Sequence, residues 1–254
     1  MRVVKIGGRT QGDPRIIAAL HQAWTDSPNG VCIVHGGGDE VSSMQRALGR
    51  EAAFVGGRRV TSQDDLDLLR MVLSGVVNKR LVNALVAAGI SAVGLSGEDD
   101  ALIGAEVIDA VSLGLAGRPT AINVQLLRTL MNAGFVPVIS PVAYDTTSGK
   151  GGALNVNGDD AAAAIAVALK ADELFLIADV EGVRGTQGEI IQFLSIESAR
   201  DLIASGVAAG GMTAKLESAH TALLGGVDRV RICDLAGLVD SERGTFVTQS
   251  QGVV

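Results

Sequence analysis

Six short apolar runs govern what this chain can fold into: VVKI (3–6), VCIV (31–34), SAVGL (91–95), FVPVI (135–139), ELFLI (173–177) and VRI (230–232). They are continuous rather than alternating, and rich in β-branched residues. That is the pattern of strands covered on both faces, as in a parallel sheet. Helical periodicity fills the gaps. Asp13-Pro14 forms a cap and first turn ahead of 15–24, and a shorter pattern covers 38–48. Ser62 caps a long stretch over 63–88, and Asn123 opens 124–134. Asp159 or Asp160 opens an alanine-rich segment over 161–171, and Ser195 and Gly211-Met212 start the last two helices. Strand–helix alternation predicts an α/β fold, an open and mainly parallel β-sheet sandwiched by helices. Residues 100–120 and 181–193 break the alternation and are expected as hairpins or excursions.

Composition narrows the function. With 254 residues, 47% of them hydrophobic, the chain can bury a large core and is not disordered. Aromatics make up only 3% against 33 glycines, so helices and sheet must meet closely through Val, Ile, Leu and Ala. The net charge of −7 lacks the basic footprint of a nucleic-acid or anionic-membrane binder, although a small anionic ligand remains compatible. No apolar run reaches the length of a membrane span. The opening MRVVKIGG is too short and glycine-rich for a signal peptide, and Cys32 and Cys233 lie in apolar runs without redox or ligand spacing. The expectation is a cytoplasmic protein with reduced core thiols. A single domain over 1–254 is expected, with an N-terminal lobe over about 1–172 and a C-terminal lobe over about 173–254.

Several catalytic signatures are missing. There is no Walker-type phosphate loop, no G-x-G-x-x-G, no H-E-x-x-H, no G-x-S-x-G and no C-x-x-C. The three histidines are too scattered to suggest a metal site. What the chain offers instead lies at strand ends, where open α/β sheets bind ligands. Lys5 precedes Gly7-Gly8; it is either a snorkelling edge lysine or a buried cation that is paired or used. His35-Gly36-Gly37-Gly38 runs straight into a helix, a nest of backbone N–H groups suited to an anion. The cluster from Asn155 to Asp160 carries more polar side chains than capping requires. Lys215 in GGMTAK is a cation in a first helical turn, where the macrodipole disfavours it. Asp179 to Val183 form a glycine-bearing loop after ELFLIA. Arg59 is a candidate fork for a carboxylate, while Arg58 beside it reads as solvated. No nucleophile, general base or metal cage is evident. Positioning and charge neutralisation alone are what phosphoryl transfer needs.

The segments VVKIGG, VHGGG, GRRVT, MVLSGVVNKRLV, GLSGED, LNVNGDDAA, DVEGV and GGMTAK, in that order over residues 3 to about 217, resemble the amino-acid kinase family; GTFV near the end resembles a further family segment. The resemblance implies the three-layer, carbamate-kinase-like fold of that family. It also implies ATP-dependent phosphorylation of the side-chain carboxylate of an acylated amino acid, N-acetyl-L-glutamate of arginine biosynthesis in the most similar members. It assigns Lys5 to the transferring phosphoryl group, Lys215 to the partner role on the nucleotide side, and Asp159 to holding both lysines. By the same resemblance Gly7 and Gly8 line the phosphate path. Gly37, Gly38, Arg59 and Asn155 fall to the substrate. Asp179, Val180, Glu181, Gly182, Val183 and Arg184, with Val207, Ala208 and Ala209, fall to the nucleotide. ATP is implied with Mg²⁺, carried by the nucleotide rather than by protein ligands.

The chain departs from the family pattern at Arg9, where a small residue is usual, and at NGDD in place of N-A-D. Lys5 follows Met1 closely, which leads to the expectation of a homodimer without arginine feedback, with the stretch over 62–88 as its candidate surface. Two alternatives stay open: a kinase for a carrier-protein-linked aminoadipate or glutamate, and a non-catalytic amino-acid sensor on the same fold. A dehydrogenase with an atypical dinucleotide loop is remote without the glycine fingerprint.

Overall fold

The computed structural model describes residues 1–149 and 151–249, and for Arg9 only the backbone. All six expected strands are present. They are β1 (Arg2–Ile6), β2 (Val31–His35), β5 (Ala92–Gly97), β8 (Val136–Asp145), β10 (Glu173–Ile177) and β12 (Arg229–Cys233). The hairpin β3 (Phe54–Val55) and β4 (Arg58–Arg59) forms a small sheet of its own. The excursion over 100–120 becomes the antiparallel pair β6 (Ile103–Val107) and β7 (Ala116–Ile122). With β9 (Ala153–Val156), β11 (Phe193–Ser195) and β13 (Thr245–Thr248) these build an eleven-stranded sheet. Its order is β11-β13-β12-β10-β1-β2-β8-β6-β7-β9, with β5 also on β8. The central run β12-β10-β1-β2-β8 is parallel throughout, so its strands must be joined through helices.

Those helices form two layers. On one face α1 (Ile16–Asp26) and α4 (Asn78–Ala87) cover Val4, Ile6, Ile33 and Phe175. On the other, α5 (Val124–Asn132), α6 (Gly158–Leu169) and α8 (Gly211–Leu224) cover Val3, Val34, Leu174 and Ile232. Residues two apart on a strand share a face, so Lys5 points to the side of Val3, toward α6 and α8. The alanines of α6, among them Ala161, Ala162 and Ala166, are buried and let this helix lie close to the sheet. The remaining helices are α2 (Gly38–Ala47), α3 (Gln63–Leu69) and α7 (Ile196–Ala204).

Caps and irregular turns refine the expectations. Ser62 makes a full capping box with Asp65, and Asn123 accepts from the Leu126 amide, as their positions suggest. Helix α6 is capped by Asn157, whose side chain accepts from the Asp159 amide, and not by Asp159 or Asp160. Asp13 accepts from the Arg15 amide, and α1 starts only at Ile16. The stretch over 63–88 is helical but widens into a π-helix over Arg70–Val77 between α3 and α4. From that wide segment Leu73 and Val77 press on the chain at Gly37: a Cβ there would lie 2.6 Å from Leu73 Cδ2. Gly37 has φ of +153°, so glycine is required on both counts.

Candidate active site

Three nearly buried charges converge at the ends of β1, α6 and α8. Lys5 Nζ lies 2.8 Å from Asp159 Oδ1. Lys215 Nζ lies 3.0 Å from Oδ1 and 3.3 Å from Oδ2 of the same carboxylate. Asp159 can serve both because Asn157 has taken over the capping of its helix. Burial pushes the Asp159 carboxyl up, but the two ammonium groups outweigh it and hold its pKa below the usual range. Burial, and then Lys5 beside it, bring Lys215 down to about 8. Two cations on one anion leave the buried cluster itself with an excess positive charge, while Asp39 and Asp179 stand further along the second cavity. Such a site is built to receive an anion.

Two cavities meet at the cluster. The first, of about 230 Å³, is lined among others by Gly37, Gly38, Arg58, Arg59 and Asn155. The second, of about 400 Å³, is lined among others by Gly7, Asp179, Gly211, Met212 and Lys215. Lys5, Gly8, Gly38 and Asp159 belong to both. Glycine makes this sharing possible: a Cβ on Gly8 would stand 3.3 Å from Gly37 Cα, and one on Gly158 would stand 3.2 Å from Lys5 Cε. A group placed at the junction faces the Lys5 ammonium from either side.

The walls of the first cavity are stiffened by polar contacts. Arg59 donates to Gln45 Oε1 at 2.5 Å, Gly38 O at 2.9 Å and Ser42 Oγ at 2.8 Å, and its guanidinium lies over the Phe54 ring. These contacts use three of its five donors, and the others can meet a ligand. Asn155 donates to Thr61 Oγ1 at 2.9 Å. His35, fully buried, contacts Gly36 O at 2.8 Å through Nδ1 and Asn78 Nδ2 at 3.0 Å through Nε2. Burial, with Lys5, Lys79 and Arg80 nearby, brings its pKa down to about 4. A neutral ring donating from Nδ1 satisfies both contacts, so His35 holds the glycine loop and is no proton shuttle at neutral pH.

The structure does not bring every expected residue to the cavities. Asp179 lines the second cavity, whereas Val180–Arg184 and Val207–Ala209 line neither. Glu181 pairs with Arg243, Val183 N–H donates to Thr245 Oγ1, and Gly182 packs on Thr245. Val207 is exposed, and the Ala208 carbonyl accepts from Thr213 Oγ1. Gly211 and Met212, notable in the sequence only for the lysine that follows, do line the second cavity. Arg58 is corrected: it is only partly solvated and is bonded to Asp160 Oδ2 at 2.7 Å. Among the described residues no three His, Cys, Asp or Glu side chains gather as a metal cage, and no helix is long and apolar enough to cross a membrane.

Comparisons with known proteins identify the family and the fold. The sequence profile of the amino acid kinase family matches residues 1–234. The chain is similar to acetylglutamate kinase of Paracoccus denitrificans (strain Pd 1222), 45% identical over 235 residues that cover 91% of this chain and 76% of that protein. Among solved structures it is similar to smu.665 of Streptococcus mutans UA159, with a TM-score of 0.88, 29% identity and 98% of each chain covered. Carbamate kinase of Giardia lamblia bound to AMP-PNP shares the fold, with a TM-score of 0.72, 14% identity and 97% of each chain covered. Two lysines on one buried aspartate, set between two cavities on a parallel sheet, thus sit in a chain whose sequence and fold agree: it belongs to the amino acid kinase family.

Proposed function

We propose that this protein transfers the γ-phosphoryl group of ATP to the side-chain carboxylate of N-acetyl-L-glutamate, the acyl-phosphate-forming step of arginine biosynthesis. The observation that carries this reading is the placement of Lys5 and Lys215 on Asp159 where the two cavities join. The similarity to acetylglutamate kinases supplies the substrate. In this reading N-acetylglutamate occupies the first cavity, in the lobe over 1–172, with its α-carboxylate toward Arg59 and Asn155. ATP occupies the second, against the lobe over 173–254.

The chemistry asks little of the protein beyond placement. A side-chain carboxylate with an ordinary pKa of about 4.3 is already ionised at neutral pH, so no general base is required. One carboxylate oxygen attacks the γ-phosphorus as the bond from phosphorus to the β,γ-bridging oxygen breaks, and ADP leaves with that electron pair. The obstacle is repulsion between the incoming carboxylate and the phosphates. Lys5 faces the transferring group and Lys215 the nucleotide side, while amides at Gly7, Gly8, Gly37 and Gly38 add dipoles. Mg²⁺ bound to the ATP phosphates supplies further neutralisation. A homodimer that covers exposed Met71, Val76 and Val86 belongs to the same reading, and light scattering would show a hexamer or monomer if it is wrong.

A carrier-linked substrate would call for free basic groups at the mouth. Arg50 is paired with Asp64 and Asp65, Arg58 with Asp160, and Arg59 is engaged inside; the side chain of Arg9 lies outside the described residues. The test is a hydroxamate assay with ATP and Mg²⁺, comparing N-acetylglutamate, glutamate and N-acetyl-aminoadipate. Acyl hydroxamate from N-acetylglutamate alone is expected. Silence with all three in protein that binds ATP would overturn the substrate assignment in favour of a carrier-linked substrate or a sensor.

A further inference from the structure

The hairpin β3–β4 is a lightly secured wall of the first cavity. It pairs with no strand of the main sheet, and an isolated two-stranded hairpin is marginal in water. Its turn, Gly56-Gly57, has φ of +56° and +76°, a tight reversal with no side chain to hold it. Phe54 and Val55 are half exposed. The base is tied down at Thr61, which donates to Leu113 O at 3.0 Å, and at Arg59 through its contacts to α2. Among the described residues, the polar side-chain contact that ties the tip to the rest of the protein is that of Arg58.

Arg58 reaches out of the hairpin to Asp160 at 2.7 Å, and the other oxygen of that carboxylate accepts from Ser218 Oγ at 2.8 Å. Asp160 is the residue after Asp159 in the first turn of α6, where the helix dipole favours a carboxylate. Ser218 lies three residues beyond Lys215 on α8. Two consecutive aspartates therefore hold two different sets of partners: Asp159 holds the lysines, and Asp160 holds the cover of the cavity and α8.

We propose that Arg58 is a positioning residue, latched by Asp160 so that the hairpin stays closed over the first cavity and Arg59 stays where the substrate carboxylate meets it. The latch ties the substrate cover to the two helices that carry Asp159 and Lys215. Because Asp160 neutralises Arg58, the cation that remains for the substrate's α-carboxylate is Arg59. The substrate named here rests on the proposed function; the latch itself does not.

The test combines hydrogen exchange of the free protein with steady-state kinetics on Arg58→Ala, Asp160→Asn, the double variant and Arg58→Lys. Opening of the hairpin speeds exchange of the amides over 54–60 by about tenfold in Arg58→Ala and in Asp160→Asn. KM for N-acetylglutamate rises about five- to twentyfold, a larger effect than that on kcat, while KM for ATP moves by less than about twofold. The double variant is no worse than either single one, since both remove the same contact, and Arg58→Lys recovers most of the KM. Unchanged exchange in the single variants, or additive KM effects, overturns the latch. A wild-type protein inactive toward N-acetylglutamate overturns the substrate assignment instead, and the exchange data then decide the latch alone.

Discussion

Two buried charge clusters sit on the same central sheet, and they are built to opposite rules. At the far end of β10, Glu173 Oε1 accepts from Arg231 Nε at 3.1 Å and Nη2 at 2.7 Å. The Nη1 of Arg231 donates to Gly237 O and Asp240 O, and its guanidinium lies between the Phe175 and Phe246 rings. Inside, one buried cation meets one buried anion with four of its five donors used, and exposed Arg229 reaches the other carboxylate oxygen from solvent at 4.0 Å; neither Glu173 nor Arg231 lines the two cavities that meet at Lys5. At Lys5, Asp159 and Lys215 the count is two cations to one anion, and both cavities open onto it. A closed cluster holds the fold; an open one with surplus charge waits for a ligand. The distinction lies in the balance of buried charge and in free donors: both lysines on Asp159 are buried, whereas the second cation at Glu173, Arg229, is exposed to water.

The largest expected effect breaks the closed cluster. Arg231→Met leaves Glu173 buried beside apolar rings with only exposed Arg229 at 4.0 Å, a loss of its buried partner that costs about 3 kcal/mol of unfolding free energy. Denaturant unfolding measures it, and the fraction that stays folded keeps wild-type kcat. Asp159→Asn comes next, because it leaves two ammonium groups facing each other. It lowers the thermal midpoint and, by misplacing both lysines, reduces kcat by about a hundredfold. A variant as stable and active as wild type would show that Asp159 holds nothing.

The third expectation is a pH dependence that comes from the open cluster. With Lys215 near 8, kcat/KM of the free enzyme falls about tenfold per unit as pH rises through that value and the ammonium loses its proton. Stability changes in the other direction. Since the folded value lies below the ordinary 10.5, the unfolded chain binds more protons between about 8 and 10.5, and the contribution of Lys215 to stability rises with pH there. A profile flat to pH 9.5 would contradict the assignment.

Much of this was legible in the sequence, for identifiable reasons. Doubly covered strands leave continuous apolar runs, and Lys5 and Lys215 each break a local rule, one within a buried strand and the other in a first helical turn. Asp159 was harder: it stands at a helix start like an ordinary cap, and only the placement of Asn157 two residues earlier frees it. The closed cluster is invisible in one dimension, because Arg231 and Glu173 are 58 residues apart; Glu173 looks like a surface charge at a strand end, and Arg231, inside the VRI run, gives no sign of its partner. Arg58 escaped for the same reason, its partner lying 102 residues away. The π-helical segment differs from an α-helix by less than one residue per turn, too little for side-chain periodicity to register over eight residues. The loop over Val207–Ala209 follows no strand or helix pattern that would fix where it points.

The most direct test of the account is to measure kcat and the thermal midpoint on the same preparation of Lys5→Ala, with Lys215→Ala beside it. Removing one lysine converts the open cluster into a balanced pair, so the account predicts kcat lower by about a hundredfold or more with an unchanged or higher midpoint. Near-wild-type kcat, or a fall in the midpoint large enough to explain the lost activity, would contradict it.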